Sequence, residues 1–419
     1  MESLYIYYTQ VLFLILIVVN HLFEIYLSRR QVTTLHQHRG EVPSEFSEFI
    51  SLSDHQKAIG YATSKLTLSQ FRLVWDTIIL FYWFPFRGAE KLYLALPNAD
   101  IHREVLFLLS FIFIQMILNL PFSVYSTFVL EEKYGFNRST PKLFIIDRVK
   151  GLILGGLIGV PLLYGIFLIY QGAGKYWWLI SFIFMTLVQF GLVWIYPTYI
   201  APLFNKFHPL EGDELKAGIE KLVQNAGFHA KEVFVMDASR RSSHGNAYFT
   251  GLGKSKRVVF FDTLLKDLKE NEILAILAHE LGHMKLKHIP KSLIASLIIS
   301  FAGFWLMGRL STENWFYSGH FIRIISPGVL LLLFTQALPL YTFWFGPIGS
   351  WVSRKREFEA DQYAAGETRP EDLISGLLKL YQQNASPVVT DKIYSVFYHS
   401  HPPALERIKK LESFKSEPS

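Results

Sequence analysis

Read as alternating apolar and polar stretches, the 419-residue chain divides into long apolar runs and two extended polar regions. Seven runs approach the roughly 20 apolar residues that an α-helix needs to cross a bilayer. They lie near 4–27, 71–96, 104–130, 150–170, 176–196, 291–310 and 326–349. The second is the weakest, because Pro85, Arg87, Glu90 and Lys91 interrupt it. Pro121 in the third and Pro339 in the seventh predict kinks, since proline removes a backbone donor and crowds the preceding turn. The polar regions run from about Pro197 to Pro290 and from about Trp351 onward. An even number of crossings separates them, so both face the same side.

Within the first polar region the elements are readable. Asp213 caps a predicted helix whose apolar residues Leu215, Ile219, Leu222 and Val223 fall on one face, and Gly227 ends it. Val233–Met236 and Arg257–Phe261 read as strands. Between them, Ser242–Phe249 reads as a loop leading into a short strand. Glu272–Lys287 reads as a helix, apolar nearly all round and stopped by Pro290.

Composition strengthens the membrane reading. Charged residues make up 18% of the chain and hydrophobic ones 51%, and mean hydropathy is positive. The first apolar run ends at Arg29-Arg30 and follows no basic leader, so it reads as a retained span rather than a cleaved signal peptide. The net charge of +6 fits basic loops on one membrane face better than a nucleic-acid groove. The loops near 28–70 and 131–149 carry Arg29, Arg30, Arg39, Lys57 and Lys65, then Lys133, Arg138, Lys142 and Arg148. The opposite side has fewer: Arg87, Lys91, Arg103, Lys175, Arg309 and Arg323. This bias places both polar regions in the cytoplasm. There are no cysteines, so disulfides and thiolate metal sites are excluded. Any metal must sit on His, Asp or Glu.

The chemistry-bearing pattern is His279-Glu280-Leu281-Gly282-His283 on the predicted helix. One turn separates the two histidines, so both imidazoles project from one face and can share a tetrahedral ion. Glu280 follows the first histidine and can take a proton from a water activated by that ion. A buried helix that merely contains these residues is the plain alternative. A structural metal site would not need an acid beside its first histidine. In the longer H-E-x-x-H-x-x-G-x-x-H pattern a glycine and a third histidine follow, but Leu286 and Ile289 occupy those places. His288 lies five residues past His283, off the metal-binding face. Glu357 and Asp361 are spaced i, i+4 on a predicted helix. One of these carboxylates can ligate metal while the other accepts a hydrogen bond from a ligating histidine.

Several stretches together make the chain resemble the type I CAAX prenyl proteases, a family of integral-membrane zinc endopeptidases. They are Ile200–Lys206, Ser242–Phe249, Lys256–Leu264, His279–His283, Ser353–Asp361 and His401–Arg407. The likeness covers nearly the whole chain. It implies a membrane all-α fold with a zincin-like α+β protease domain, and seven transmembrane helices forming a barrel around a large water-filled chamber. The implied organisation is helices one to five in 1–196, a first protease part in 197–290, helices six and seven in 291–349, and a second protease part from 350 to 419. It further implies one zinc per chain held by His279, His283 and Glu357, with Glu280 as catalytic base and Asp361 as the supporting acid. Asn246, His401 and Arg407 would serve the substrate cleft. The implied partners are the lipid bilayer and a peptide or protein substrate, with or without a prenylated C-terminus, and no nucleic acid. The expected membrane is a bacterial inner membrane or the ER/nuclear membrane.

Two other readings compete. One is a general quality-control metalloprotease of membrane proteins. The smaller heat-shock membrane metalloproteases share the motif but have shorter chains and fewer spans. The other is a polytopic transporter or receptor with a structural metal site, which would place its ionisable residues within the spans near mid-membrane.

Overall fold

The computed structural model describes residues 1–228, 232–250 and 257–414. The chain opens with α1 (Glu2–Gln37), α2 (Leu52–Trp83), the short α3 (Gly88–Ala95), α4 (Asp100–Tyr125), α5 (Pro141–Gly172) and α6 (Trp177–Ile195). A π-helical turn extends α4 to Glu131, and another links α6 to α7 (Ala201–Phe204). Six helical segments are long and apolar enough to cross a membrane: Glu2–Gln37, Asp100–Glu131, Pro141–Gly172, Gly174–Phe204, His288–Leu310 and Pro327–Glu367. Large apolar side chains cover their outer faces: Leu157, Leu187 and Ile299 are about two-thirds or more exposed, as lipid-facing groups should be.

The expected run 71–96 is not a single helix. Helix α2 ends at Trp83, and Arg87 adopts a left-handed conformation with φ of 57° before α3 begins. Pro85 and the charged residues after it cause the break, because proline disfavours helix in the residue before it and cannot donate in the following turn. Helix α2 instead starts at Leu52, in what reads by sequence as a loop, and α1 continues to Gln37. The connection therefore shrinks to 38–51. Helix α1 is 36 residues, about 54 Å long, so it outlasts a bilayer core of about 30 Å.

The polar region between α7 and the next apolar helix holds a four-stranded sheet. Strand β1 (Phe207–Pro209) precedes α8 (Asp213–Asn225), followed by β2 (Glu232–Met236), β3 (Ala247–Thr250), β4 (Arg257–Phe261) and α9 (Asp262–Asp267). The order is β1-β2-β4-β3, with β2 and β4 parallel and the outer pairings antiparallel. Strand β3 is thus an edge. Helix α8 buries Leu215, Ile219, Leu222 and Val223, and Gly227 beyond its end has φ of 79°, the conformation glycine supplies to helix ends.

Helix α10 (Glu270–Lys285) follows. It ends earlier than Pro290 suggests: Lys287 turns left-handed with φ of 57°, and α11 (His288–Leu310) starts directly after it. Pro290 sits in the first turn of α11, where its missing donor costs nothing. Short α12 (Asn314–Gly319), α13 (Pro327–Gln336) and α14 (Leu338–Thr342) lead to α15 (Gly346–Glu367). The break between α13 and α14 falls at Ala337, two residues before Pro339. Then come α16 (Pro370–Gln383), α17 (Lys392–Tyr398) and α18 (Ala404–Ser413).

Two large cores form. One joins the sheet to α8, α10, α16 and α18 through Val258, Phe260, Ile276, Leu281, Leu373 and Ile408. The other lies among the membrane helices, around Phe13, Trp83, Phe107, Phe167, Tyr317 and Leu333. Polar ties connect them. Arg30 of α1 pairs with Asp391 at 2.8 Å, and Arg241 grips Asp147 of α5 through two bonds of 2.8 and 3.0 Å. A cavity of about 620 Å³ between α2 and α4 is lined by Lys65, Arg72, Gln115, Asn119 and Arg148. Such groups on membrane helices belong in water-filled space, not lipid.

Candidate metal centre and active site

Helices α10 and α15 cross closely, and this crossing builds the site. Gly282 permits it: a Cβ there would stand 3.0 Å from the Ala360 Cα and 3.1 Å from its carbonyl oxygen. The core packs Ala278 and Leu281 inward, which turns His279 and His283 toward α15. Their Nε2 atoms lie 3.2 Å apart. Glu357 of α15 meets both, with Oε2 3.4 Å from His279 Nε2 and Oε1 3.3 Å from His283 Nε2. Ligand atoms of these three residues all fall within 4.8 Å of one another.

The surroundings orient each group. His279 Nδ1 lies 2.8 Å from Asp361 Oδ1, so its proton goes to that carboxylate and its Nε2 lone pair is left for a cation. Asp361 is fully buried and accepts two 2.7 Å hydrogen bonds from Arg407 Nε and Nη2. Burial works against the Arg407 charge, but the Asp361 carboxylate more than offsets it and pushes the guanidinium pKa up. At His279, burial and Arg407 act to lower the pKa. The carboxylates of Asp361 and Glu357 outweigh both and raise it. The field at the three-residue cluster therefore favours a positive charge.

His283 is supported differently. Its Nδ1 meets His288 Nδ1 at 3.0 Å, and His288 Nε2 meets Glu359 Oε2 at 3.0 Å. Glu280, half-buried beside the cluster, makes no side-chain hydrogen bond or ion pair among the described residues. It is free to handle a proton.

The donor set fits a zinc-type ion. Two imidazoles and one carboxylate are hard-to-borderline donors in the number that leaves a position open for water. Glu357 Oε2 is buried and unbonded: His401 Nδ1 approaches to 2.7 Å, and His279 Nε2 to 3.4 Å, without hydrogen-bond alignment. A buried carboxylate ringed by histidine nitrogens in poor alignment for hydrogen bonds fits a site that holds a cation.

The sequence-predicted residues fall into three groups. The structure brings His279, Glu280, His283, Glu357 and Asp361 together. It adds His401, whose exposed ring reaches Glu357. Asn246 is exposed just before edge strand β3; its carbonyl accepts from Phe261 N at 3.0 Å, and its side-chain oxygen caps Ala247 N at 2.8 Å. Arg407, expected at the substrate cleft, is buried at 6% exposure, with its guanidinium bonded twice to Asp361 and its Nη2 3.1 Å from His279 Nδ1. Sequence reasoning missed His288 and Glu359. His288 does lie off the face that carries the metal ligands, but it returns to His283 through the turn at Lys287.

Comparison with known proteins identifies the family. A family profile described as the CAAX prenyl protease N-terminal region, five membrane helices, matches residues 31–206, and one for peptidase family M48 matches 209–415. A "CAAX prenyl protease 1 homolog" of Arabidopsis thaliana is 38% identical, covering 94% of this chain and 95% of the relative. The chain belongs to the M48 family of CAAX prenyl proteases. The human homolog is 32% identical over 94% of this chain and 93% of its own length. The yeast "CAAX prenyl protease 1" of Saccharomyces cerevisiae is 34% identical over 93% of this chain and 92% of its own. The crystal structure of S. mikatae Ste24p superposes with a TM-score of 0.89 at 33% identity, covering 96% of this chain and 98% of that one. This family member is a multi-pass membrane metalloendopeptidase with a membrane all-α fold and an attached protease domain. The matched family is one of membrane metallopeptidases, so the transporter or receptor reading falls away.

Proposed function

We propose that the chain is a zinc endopeptidase that cuts near the C-terminus of prenylated proteins, with His279, His283 and Glu357 as the zinc ligands. The observation that carries this reading is the convergence of these three side chains on one point, with Asp361 behind His279. When bound, one zinc per chain supplies Lewis acidity, which brings a water's pKa down to about 7 and polarises the scissile carbonyl. Glu280 takes the proton from the attacking water and delivers it to the departing amine. His401, beside Glu357 and open to solvent, donates to the oxygen that gains charge on the carbonyl. Substrate pairs as an added strand along β3, with the Asn246 amide fixing its backbone. Arg407 holds Asp361 against His279 and also touches the His279 ring itself, with Nη2 3.1 Å from Nδ1, so it supports the ligand side of the centre and not the substrate cleft.

The domain arrangement follows from the same reading. Residues 197–290 and 350–419 form one protease unit on the cytoplasmic side, carried by helices in 1–196 and 291–349. Helix α2, with its polar face toward the cavity of Lys65 and Arg72, completes a seventh wall of the chamber. The membrane is that of the ER or nucleus if the cell makes prenylated proteins.

The test uses purified full chain in detergent with a farnesylated C-terminal peptide and the same peptide lacking the lipid. Cleavage of the farnesylated peptide alone supports the proposal. Equal cleavage of both points to a broader peptidase. Glu280→Gln should keep zinc and lose about 10²- to 10⁴-fold in rate; undiminished cleavage would place the base elsewhere.

A further inference from the structure

His279 Nδ1 meets a buried carboxylate directly, whereas His283 Nδ1 meets another imidazole. For His283 to offer Nε2 to a metal as a neutral ligand, its proton must sit on Nδ1. That proton needs an acceptor. His288 Nδ1, at 3.0 Å, provides one only if the His288 proton is on its far nitrogen. Glu359 Oε2, 3.0 Å from His288 Nε2, fixes it there. The three residues form one directed chain, in which each proton points away from the metal cluster.

We propose that His288, backed by Glu359, is a positioning residue that sets the tautomer and ring orientation of the metal-ligating His283. This rests on the three-ligand reading of the metal centre. His288 itself lies outside that cluster. On an uninterrupted helix a residue five places on would be rotated by about 140° from His283. The left-handed Lys287, with φ of 57°, breaks the helix and returns His288 to it. His288 is 3% exposed, so its two ring nitrogens have these two partners and no water to replace them. Glu359 comes from the same helix as Glu357 but from its other side, facing the first turn of α11. Helix α15 thus contributes a ligand, the support of one ligating histidine, and the far end of the support of the other.

The test is zinc affinity of the full chain in detergent, read by chelator competition, together with the visible spectrum of the cobalt-substituted protein. His288→Leu removes the acceptor and should weaken zinc about 10- to 100-fold, with a shifted cobalt spectrum. His288→Asn places an amide oxygen near the position of Nδ1 and should restore most of the affinity and the original spectrum. Glu359→Gln, at a partly exposed position that tolerates substitution, should weaken zinc by less than His288→Leu while shifting the spectrum the same way. If His288→Leu does not fold, Glu359→Gln still decides: affinity and spectrum both unchanged from the unmodified chain overturn the role of Glu359 and the directed chain with it. Equal loss in the Leu and Asn variants means that His288 only fills space, and overturns the proposal. An unmodified chain that binds no zinc overturns the metal reading and this proposal together, whereas normal binding in the unmodified chain and in all three variants overturns this proposal alone.

Discussion

The two histidines of one helical turn stand in unlike surroundings. His279 is backed by Asp361, which is fully buried and bound by an Arg407 guanidinium that is buried too. His283 is backed through His288 by Glu359, whose side chain is 40% exposed. A buried carboxylate–arginine pair has no water to fall back on, so its loss is felt as misfolding as well as misplacement. Glu359 is partly solvated, so neutralising it leaves no buried charge unpaired. One side of the centre is rigid and costly to alter, and the other is adjustable. Glu357 belongs to neither side, because one of its oxygens faces His279 and the other His283.

This asymmetry can be broken in graded steps. The largest effect should come from Glu357→Ala, which removes the donor common to both sides. Zinc content should fall from about one per chain towards zero, as measured by elemental analysis, and full zinc retention would remove Glu357 from the ligand set. Asp361→Asn should come next. It leaves Arg407 as a buried charge without its partner, at a cost of about 3–5 kcal/mol. It should also weaken zinc about 10- to 100-fold. Thermal unfolding of the metal-free protein reads the first effect and chelator competition the second. A smaller change is expected for Gly282→Ala, which strikes both histidines through the helix crossing. The added Cβ meets the Ala360 backbone at 3.0 Å, so overpacking of about 1–3 kcal/mol should appear as a lower unfolding midpoint. Smallest should be Glu359→Gln, with a modest loss of zinc affinity and an unfolding midpoint close to that of the unmodified chain. If Asp361→Asn and Glu359→Gln proved equally damaging to stability, the two sides would be alike and the comparison would fail.

Much of this centre was legible in the residues. The i, i+4 spacing of His279 and His283 places them on one face whatever surrounds the helix, and the same rule pairs Glu357 with Asp361. Local chemistry also accounts for Gly227 ending α8 and for the strands at 233–236 and 257–261. Elsewhere local patterning was not enough. Hydropathy alone left α1 ending near residue 27 and α2 starting near 71, because a window tuned to lipid does not register a helix that continues into water. The same limitation carried the expected run across Pro85 and Arg87, where the backbone breaks. Arg407 was placed at the substrate cleft by the family resemblance. Only the packing of α18 against α15 shows that its guanidinium is sealed against Asp361.

The sequence by itself determined the chemical vocabulary: a lipid-spanning scaffold without thiols, a helix with two histidines on one face and an acid beside the first, and a second helix with two carboxylates on one side. Those are consequences of residue type and helical period, which act over a few residues. The family resemblance, not helical spacing, singled out Glu357 over Asp361, and tertiary structure added that Glu357 faces both histidines while Asp361 meets only His279. Tertiary structure also decided that Gly282 packs against the Ala360 backbone, and that a turn at Lys287 brings His288 back to His283. Each of these depends on two segments tens of residues apart meeting at atomic distance. That meeting is set by how the apolar faces of α10 and α15 share one core, a property of the packed chain and not of either helix alone.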